Sequence, residues 1–371
     1  MKKTVAVFVA LLIIINQLFI VKGQYYGLEF DYTLHEQLNI YENEIVQKAS
    51  ADLFGINNEW GAGIMSDQDP SEERLPTDED TKDFRETMKE FGLKMPLNRM
   101  AGFSSQEFKW KYAIGPLSER IPQARGGGGK FKFGPLEWAK TVLDVDPDAK
   151  FAITFNFYMD TPQDHADFVE FLTGDPDNDR NGGINWAAKR VEYGMKEPLN
   201  VAFWEMGNEL DLKAHIREIF NNVDEYVKYV RETVELIREI NPDAPLCVMA
   251  LTNPWTEKRL EDGTVFSSPD NWRKWHIEMF KDEVIRENVD YIAYHSYYIP
   301  YRKMDEIGNG YNHEQYINTI VSDIKKLGKD VKVYLSEQSL WARDIIVNGV
   351  KMRDPWESRN LLGALFTTEY Y

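Results

Sequence analysis

Two stretches of the chain set glutamates where they could do acid–base work. FWEMGNEL, residues 203–210, holds Glu205 and Glu209, with Asn208 directly before the second. YLSEQSLW, residues 334–341, holds Glu337. Each of these acids closes an apolar run. Hydrolysis of a glycosidic bond needs two facing carboxyl groups. One protonates the leaving oxygen, and the other attacks the anomeric carbon or activates water. Other apolar runs also end in polar groups: Asn57, Asn58 and Glu59; Asn98 and Arg99; Asn156 and Tyr158; His295, Tyr297 and Tyr298. Asn208 can hydrogen-bond a sugar hydroxyl, and a Tyr297 hydroxyl donating to a carboxylate would keep it ionised. Each acid also has an ordinary reading. Glu205 and Glu209 could be helix-start acids, and Glu337 an ion-paired strand end.

Something must bring these run ends together. Seven short apolar segments alternate with amphipathic ones. The apolar segments are ADLFGIN (51–57), LKMPLNRM (93–100), KFAITFNF (150–157), LNVAFWEMGN (199–208), PLCVMAL (245–251), VDYIAYHSYY (289–298) and KVYLSEQS (332–339). Strands that are nearly all apolar, each followed by a helix, indicate a parallel sheet covered on its outer face. Helices are expected at Thr81–Gly92, 135–144, 161–174, 223–242, 271–288, 313–328 and 355–371. The long helix after Asn222 carries a stripe of Val227, Val230, Val234 and Ile237. The natural host is a closed (β/α)8 TIM barrel, an α/β fold whose catalytic groups sit at the C-terminal ends of the strands. A doubly wound open sheet would usually carry a G-x-G-x-x-G turn after its first strand. The segment here is GINNEWGAG. An eighth strand is missing before Tyr371, so the expectation is a barrel truncated before that strand.

Composition narrows the partners. The chain of 371 residues is 43% hydrophobic and 28% charged, ordinary for a soluble globular protein. Its formal net charge of −18 repels nucleic acid and anionic membranes and suits a neutral substrate. Aromatic residues make up 13%, which suits both a large core and stacking on sugar rings. Cys247 is the single cysteine, in an apolar run where it reads as a small buried hydrophobe.

The first residues, Lys2 and Lys3 followed by VAVFVALLIIINQLFIV and then Lys22-Gly23, have the layout of a secretory signal peptide cut near Gly23–Gln24. The rival is an uncleaved anchor, since the run has the length of a spanning helix. The expected organisation is a signal peptide at 1–23, an extension at 24–50 and the barrel at 51–371, in a secreted or periplasmic protein.

Several signals carry less. DPDNDRNGG (175–183) alternates acids like a calcium loop but has Arg180 and Trp186 where such a loop needs Gly and Glu. His165, His215, His276 and His313 show no metal-ligand spacing, and no metal or cofactor is expected. Trp110 and Trp255 could stack sugar rings or pack in the core.

The motifs together resemble a known family. FWEMGNEL is similar to the fourth-strand motif of the clan A retaining glycosidases. EPLNVAFWEMGNE, RMAGFSSQEFKWKYAIGPLSERIP, DYIAYHSYY and YLSEQSLW resemble segments of glycoside hydrolase family 51, best known for α-L-arabinofuranosidases. The resemblance runs through most of 50–371. It implies Glu209 as acid/base and Glu337 as nucleophile, with Glu59, Arg99, Asn208, His295, Tyr297 and Trp341 around the sugar. It also implies a carbohydrate substrate, from plant or algal polysaccharide, and no cofactor. Two places depart from the family. Met100-Ala101-Gly102-Phe103-Ser104 stands where Pro-Gly-Gly-Asn is usual, and Gln338 where Trp is usual, so the sugar subsite is altered. The family usually ends in a C-terminal β-sandwich, which the expectation here leaves out. The alternatives are another clan A glycosidase with a pyranose subsite, such as a β-glycanase or β-xylosidase, and a non-catalytic sugar-binding barrel.

Overall fold

The computed structural model describes residues 20–25, 28–33, 55–60, 65–69, 71–100, 102–124, 128–212, 220–252, 254, 257–298, 313–340, 344–347 and 350–353. The chain divides into two compact units, Met1–Ser50 and Ala51–Tyr371. In the first, β1 (Ile20–Tyr25) pairs antiparallel with β2 (Leu28–Thr33). Residues 1–19 of the expected signal segment and most of the extension lie outside the described residues. Among the described residues no helix is long and apolar enough to cross a membrane.

The second unit is built on one seven-stranded sheet. Its strands are β3 (Ile56–Asn58), β4 (Leu97–Met100), β5 (Lys150–Thr154), β6 (Val201–Glu205), β7 (Leu246–Met249), β10 (Tyr291–Tyr298) and β11 (Lys332–Leu340). They lie in chain order and all neighbours are parallel. Every expected strand is present. Two hairpins were not foreseen: β8 (Lys258–Arg259) with β9 (Val265–Ser267), and β12 (Asp344–Val347) with β13 (Val350–Arg353).

The sheet is curled rather than flat. Four strands separate β4 from β11, which in a flat sheet would place them about 24 Å apart. Yet Arg99 on β4 donates to Glu337 on β11 at 2.7 Å. Deeper in the lumen, Phe203 of β6 stacks on Tyr334 of β11 at 4.2 Å between centroids, and its edge meets Tyr291 of β10. This is the seven-stranded β/α architecture of a TIM barrel, with no eighth strand among the described residues.

Helices cover the outside: α1 (Lys82–Glu90), α2 (Pro135–Val145), α3 (Pro162–Thr173), α4 (Trp186–Glu192), α5 (Val223–Ile240), α6 (Arg273–Lys281), α7 (Glu283–Asn288) and α8 (His313–Lys326). Their starts follow local chemistry. Thr161 and Asp164 form a capping box at α3, and the Asn222 side chain accepts from Glu225 N at α5. On α5, Val230, Val234 and Ile237 are fully buried with Tyr226 and Thr233, while Val227 is half-buried. The single helix expected over 271–288 is two helices. Asp282 is extended and caps Ile285 N at 3.1 Å, which ends α6 and restarts the chain as α7. The helix α4 was not foreseen and begins where Asn185 accepts from Ala188 N at 2.7 Å. The helix expected at 355–371 lies outside the described residues.

The main core lies between sheet and helices, around Trp138, Phe151, Phe155, Phe168 and Trp204. Trp110 belongs to it, stacked on Phe168 and edge-on to Trp186, so it is a packing residue. Trp255 is outside the described residues.

Candidate active site

Two irregularities in strand pairing aim the acids inward. Along β10, Tyr291 faces the lumen, and with a period of two so do Ala293 and His295. Along β11, Tyr334 faces the lumen, and simple alternation would turn Ser336 inward and Glu337 outward. Instead the register shifts: Tyr294 pairs with Leu335, and His295 pairs with Glu337. The extra residue, Ser336, restores Glu337 to the lumen opposite His295. A similar shift on β6 has Phe151 opposite Val201 but Ala152 opposite Phe203, which brings Thr154 opposite Glu205.

At the C-terminal end of this lumen Arg99 is the hub. Its side chain is 2% exposed. Nε and Nη2 donate to the two oxygens of Glu205 at 2.7 and 2.6 Å. Nη1 donates to Glu337 Oε1 at 2.7 Å and to Asn57 Oδ1 at 3.2 Å, and Nη2 also reaches Asn208 Oδ1 at 3.1 Å. Burial works against charge on this guanidinium, but Glu205 and Glu337 outweigh it and hold Arg99 well above its usual range. Glu205, 1% exposed, also accepts from the Thr154 hydroxyl at 2.9 Å. Both its oxygens are thus engaged in holding Arg99.

Glu209 and Glu337 are the more accessible acids, with side chains 13% and 9% exposed. His295 bridges them. Its Nδ1 lies 2.8 Å from Glu209 Oε1 and 3.7 Å from Glu337 Oε2, and its Nε2 lies 3.5 Å from Arg99 Nη2. Burial lowers the proton affinity of this imidazole, yet Glu337 and the bond to Glu209 outweigh burial and Arg99, so its pKa is raised above the usual value. One oxygen of Glu209 and one of Glu337 lie within 4.8 Å of each other. The three groups are also close enough to ligate a cation, but Arg99 already presents a positive charge to two of them.

Glu209 has φ 48°, the one positive value among the described non-glycine residues. Gly207, two residues earlier, has φ 93°. The chain reverses here, which carries Glu209 from the end of β6 toward β10. Gln106 Nε2 donates to Asn208 O at 3.3 Å while its Oε1 accepts from Phe157 N, tying this turn to the loops after β4 and β5.

Of the residues singled out in the sequence, Arg99, Asn208, Glu209, His295 and Glu337 converge. Glu59 sits at the same end, its carboxylate against Gly102, where an added Cβ would fall 2.7 Å from Oε1. Tyr297 lies on β10 with its backbone paired to Ser339, its side chain being outside the described residues, as is Trp341. Thr154, Gln106 and the bracing role of Glu205 were missed. Period-two alternation back from Arg99's partners would have flagged Thr154. Cys247 is fully buried on β7, paired with Glu205 of β6, and burial pushes its thiol well above the usual range.

Fold and site together define a parallel β/α barrel protein with a paired-carboxylate centre at its strand ends. The model of the family described as the alpha-L-arabinofuranosidase 1 domain matches residues 97–286, and the chain belongs to that family. It is 23% identical to an intracellular exo-α-(1→5)-L-arabinofuranosidase of Acetivibrio thermocellus over 310 residues, 79% of this chain and 56% of that protein. A protein of the same name from Streptomyces lividans is 21% identical, over 63% of this chain and 34% of its own length. Among solved structures, the GH51 α-L-arabinofuranosidase of Thermotoga petrophila superposes with a TM-score of 0.60 at 20% identity, over 85% of this chain and 60% of that one. The Thermotoga maritima α-L-arabinofuranosidase, an arabinose complex, gives 0.58 at 20% identity, over 78% and 55%. The chain thus spans between about a third and three fifths of the length of these relatives.

Proposed function

We propose that this chain supplies the catalytic barrel of a retaining glycoside hydrolase of family 51, releasing terminal α-L-arabinofuranosyl residues from polysaccharide side chains. The observation that carries the reading is the pairing of Glu209 and Glu337 across the lumen with oxygens within 4.8 Å. Retention requires carboxyl groups ~5–5.5 Å apart, inversion ~6.5–9.5 Å. Glu337, held by Arg99, attacks the anomeric carbon. Glu209 donates a proton to the leaving oxygen, then takes one from the water that releases the sugar. Asn208 Nδ2 is buried without a protein acceptor among the described residues and offers a donor to a ring hydroxyl. Glu59, Tyr297 and Trp341 complete the sugar subsite in this reading. The N-terminal segment directs secretion, whereas the relatives above are named intracellular.

The test uses the full chain and a panel of nitrophenyl glycosides. Glu337→Gln abolishes turnover, and azide restores activity to Glu209→Ala on activated substrates, giving the glycosyl azide. The α-L-arabinofuranoside is the preferred member of the panel. Normal turnover in Glu337→Gln sinks the mechanism, and preference for a pyranoside sinks the sugar assignment.

A further inference from the structure

The left-handed conformation of Glu209 needs support. A non-glycine residue there is strained and persists only where its surroundings over-determine it. Upstream, Met206 N donates to Cys247 O at 2.9 Å, and Tyr226 Oη donates to Met206 O at 2.7 Å. Downstream, Leu212 N donates to Glu209 O at 3.0 Å, and the next anchor is the Asp211 side chain. Asp211 is fully buried. Its two oxygens both accept from Thr252 N, each at 3.1 Å, just beyond β7. One of them also pairs with the ammonium of Lys258 on β8, which is 7% exposed.

A buried ion pair is a poor way to gain stability, because desolvating two charges offsets much of their attraction. It is a good way to fix a register, since each charge has one place where it is satisfied. This pair ties the residue two beyond Glu209 to the rim of β7 and to the β8–β9 hairpin.

We infer that Asp211, clamped by Lys258 and the Thr252 N–H, is a positioning residue that sets the Glu209 carboxyl against His295 and Glu337. The inference rests on Glu209 being the acid/base. When the clamp is loosened, the turn relaxes toward ordinary φ and the carboxyl leaves its place. Protonation of the leaving oxygen then fails, while the attack by Glu337 is untouched.

Leaving-group dependence separates this from a general loss of structure. A 2,4-dinitrophenolate departs without help from an acid; an alkoxide does not. Asp211→Asn, checked by circular dichroism and thermal melting, is expected to lower kcat/KM about 100-fold on an alkyl glycoside, the scale of misplacing a catalytic group by an ångström. On the dinitrophenyl glycoside the loss is expected to stay below about 5-fold, because acid assistance contributes little there. Lys258→Met leaves Asp211 intact and reproduces the pattern, carrying the test if Asp211→Asn does not fold. Equal losses on the two substrates, or none on either, overturn the inference. Glu209→Gln run alongside keeps the two readings apart. If it shows leaving-group selectivity and the clamp variants do not, the clamp alone is wrong; if it shows none, the acid/base assignment is wrong.

Discussion

Replacing Arg99 by methionine isolates the electrostatic hub. Methionine approximates the volume of the stem, so little cavity is created, and what is lost is the guanidinium. In the wild type that group satisfies both oxygens of Glu205 and one of Glu337, at 2.6–2.7 Å, with exposures of 2% and 1% for Arg99 and Glu205. Removing one partner of a buried pair costs about 3–5 kcal/mol, because the other charge is left without compensation. In Arg99→Met, Glu205 keeps the Thr154 hydroxyl, a neutral donor. Urea unfolding of wild type, Arg99→Met, Glu205→Gln and the double variant forms a cycle. The expected coupling is about 2 kcal/mol or more, near the upper part of the range for residues in direct contact. A variant within about 1 kcal/mol of wild type at pH 7, or a coupling near zero, would refute the reasoning, since the network would then be worth no more than a surface pair.

Two buried acids predict opposite pH responses. Asp323 on α8 has its pKa held near about 2: burial alone would raise it, but bonds from Arg273, His276 and Lys326 outweigh burial. Its contribution to stability is therefore present at neutral pH and lost as pH falls from about 4 to about 2. Asp323→Asn should lower stability at pH 7 by about 1–2 kcal/mol, discounted because Arg273 is half exposed, and should match wild type near pH 2. Asp160, in the loop after β5, is pushed up to about 7 by burial and by Asp164, against Lys109 and Lys111. There the folded chain binds the proton more tightly than the unfolded one, so wild-type stability falls as pH rises from about 4 to about 7. Asp160→Asn should match wild type near pH 4 and melt higher at pH 8; parallel melting curves would exclude this.

The order and direction of the seven strands were legible because parallel strands are buried on both faces and read as plain apolar runs. The polar caps on those runs pointed to the end of the barrel that carries the site. Arg99, Asn208, Glu209, His295 and Glu337 could all be named this way. Other features have no such signature. The break at Asp282 depends on one side chain choosing to cap rather than continue a helix. The helix α4 is short, and its start rests on Asn185. Glu205 looked like a candidate equal to Glu209, since four residues and a shared motif separate them. What distinguishes them is a bond to a residue more than a hundred positions away, which only the parallel pairing of β4, β5 and β6 brings within reach.

The two register shifts also have a consequence for how this barrel tolerates change. In β6 and β11 the number of residues between the base of the strand and its acid is odd or even by virtue of one extra residue, Ala202 or Ser336. Side-chain direction in a strand is a matter of counting, so it cannot be adjusted by degrees. Deleting Ser336 would only remove the break and leave Glu337 opposite His295; keeping Ser336 but pairing straight through, so that it stood opposite His295, would swap the inside and outside of everything beyond it and turn Glu337 from the lumen toward the helices. Grafting a regular strand in place of β11 would do the same. Alignments or designs on this scaffold should therefore treat each strand as two segments joined at a fixed break, with the acid counted from the rim and not from the base.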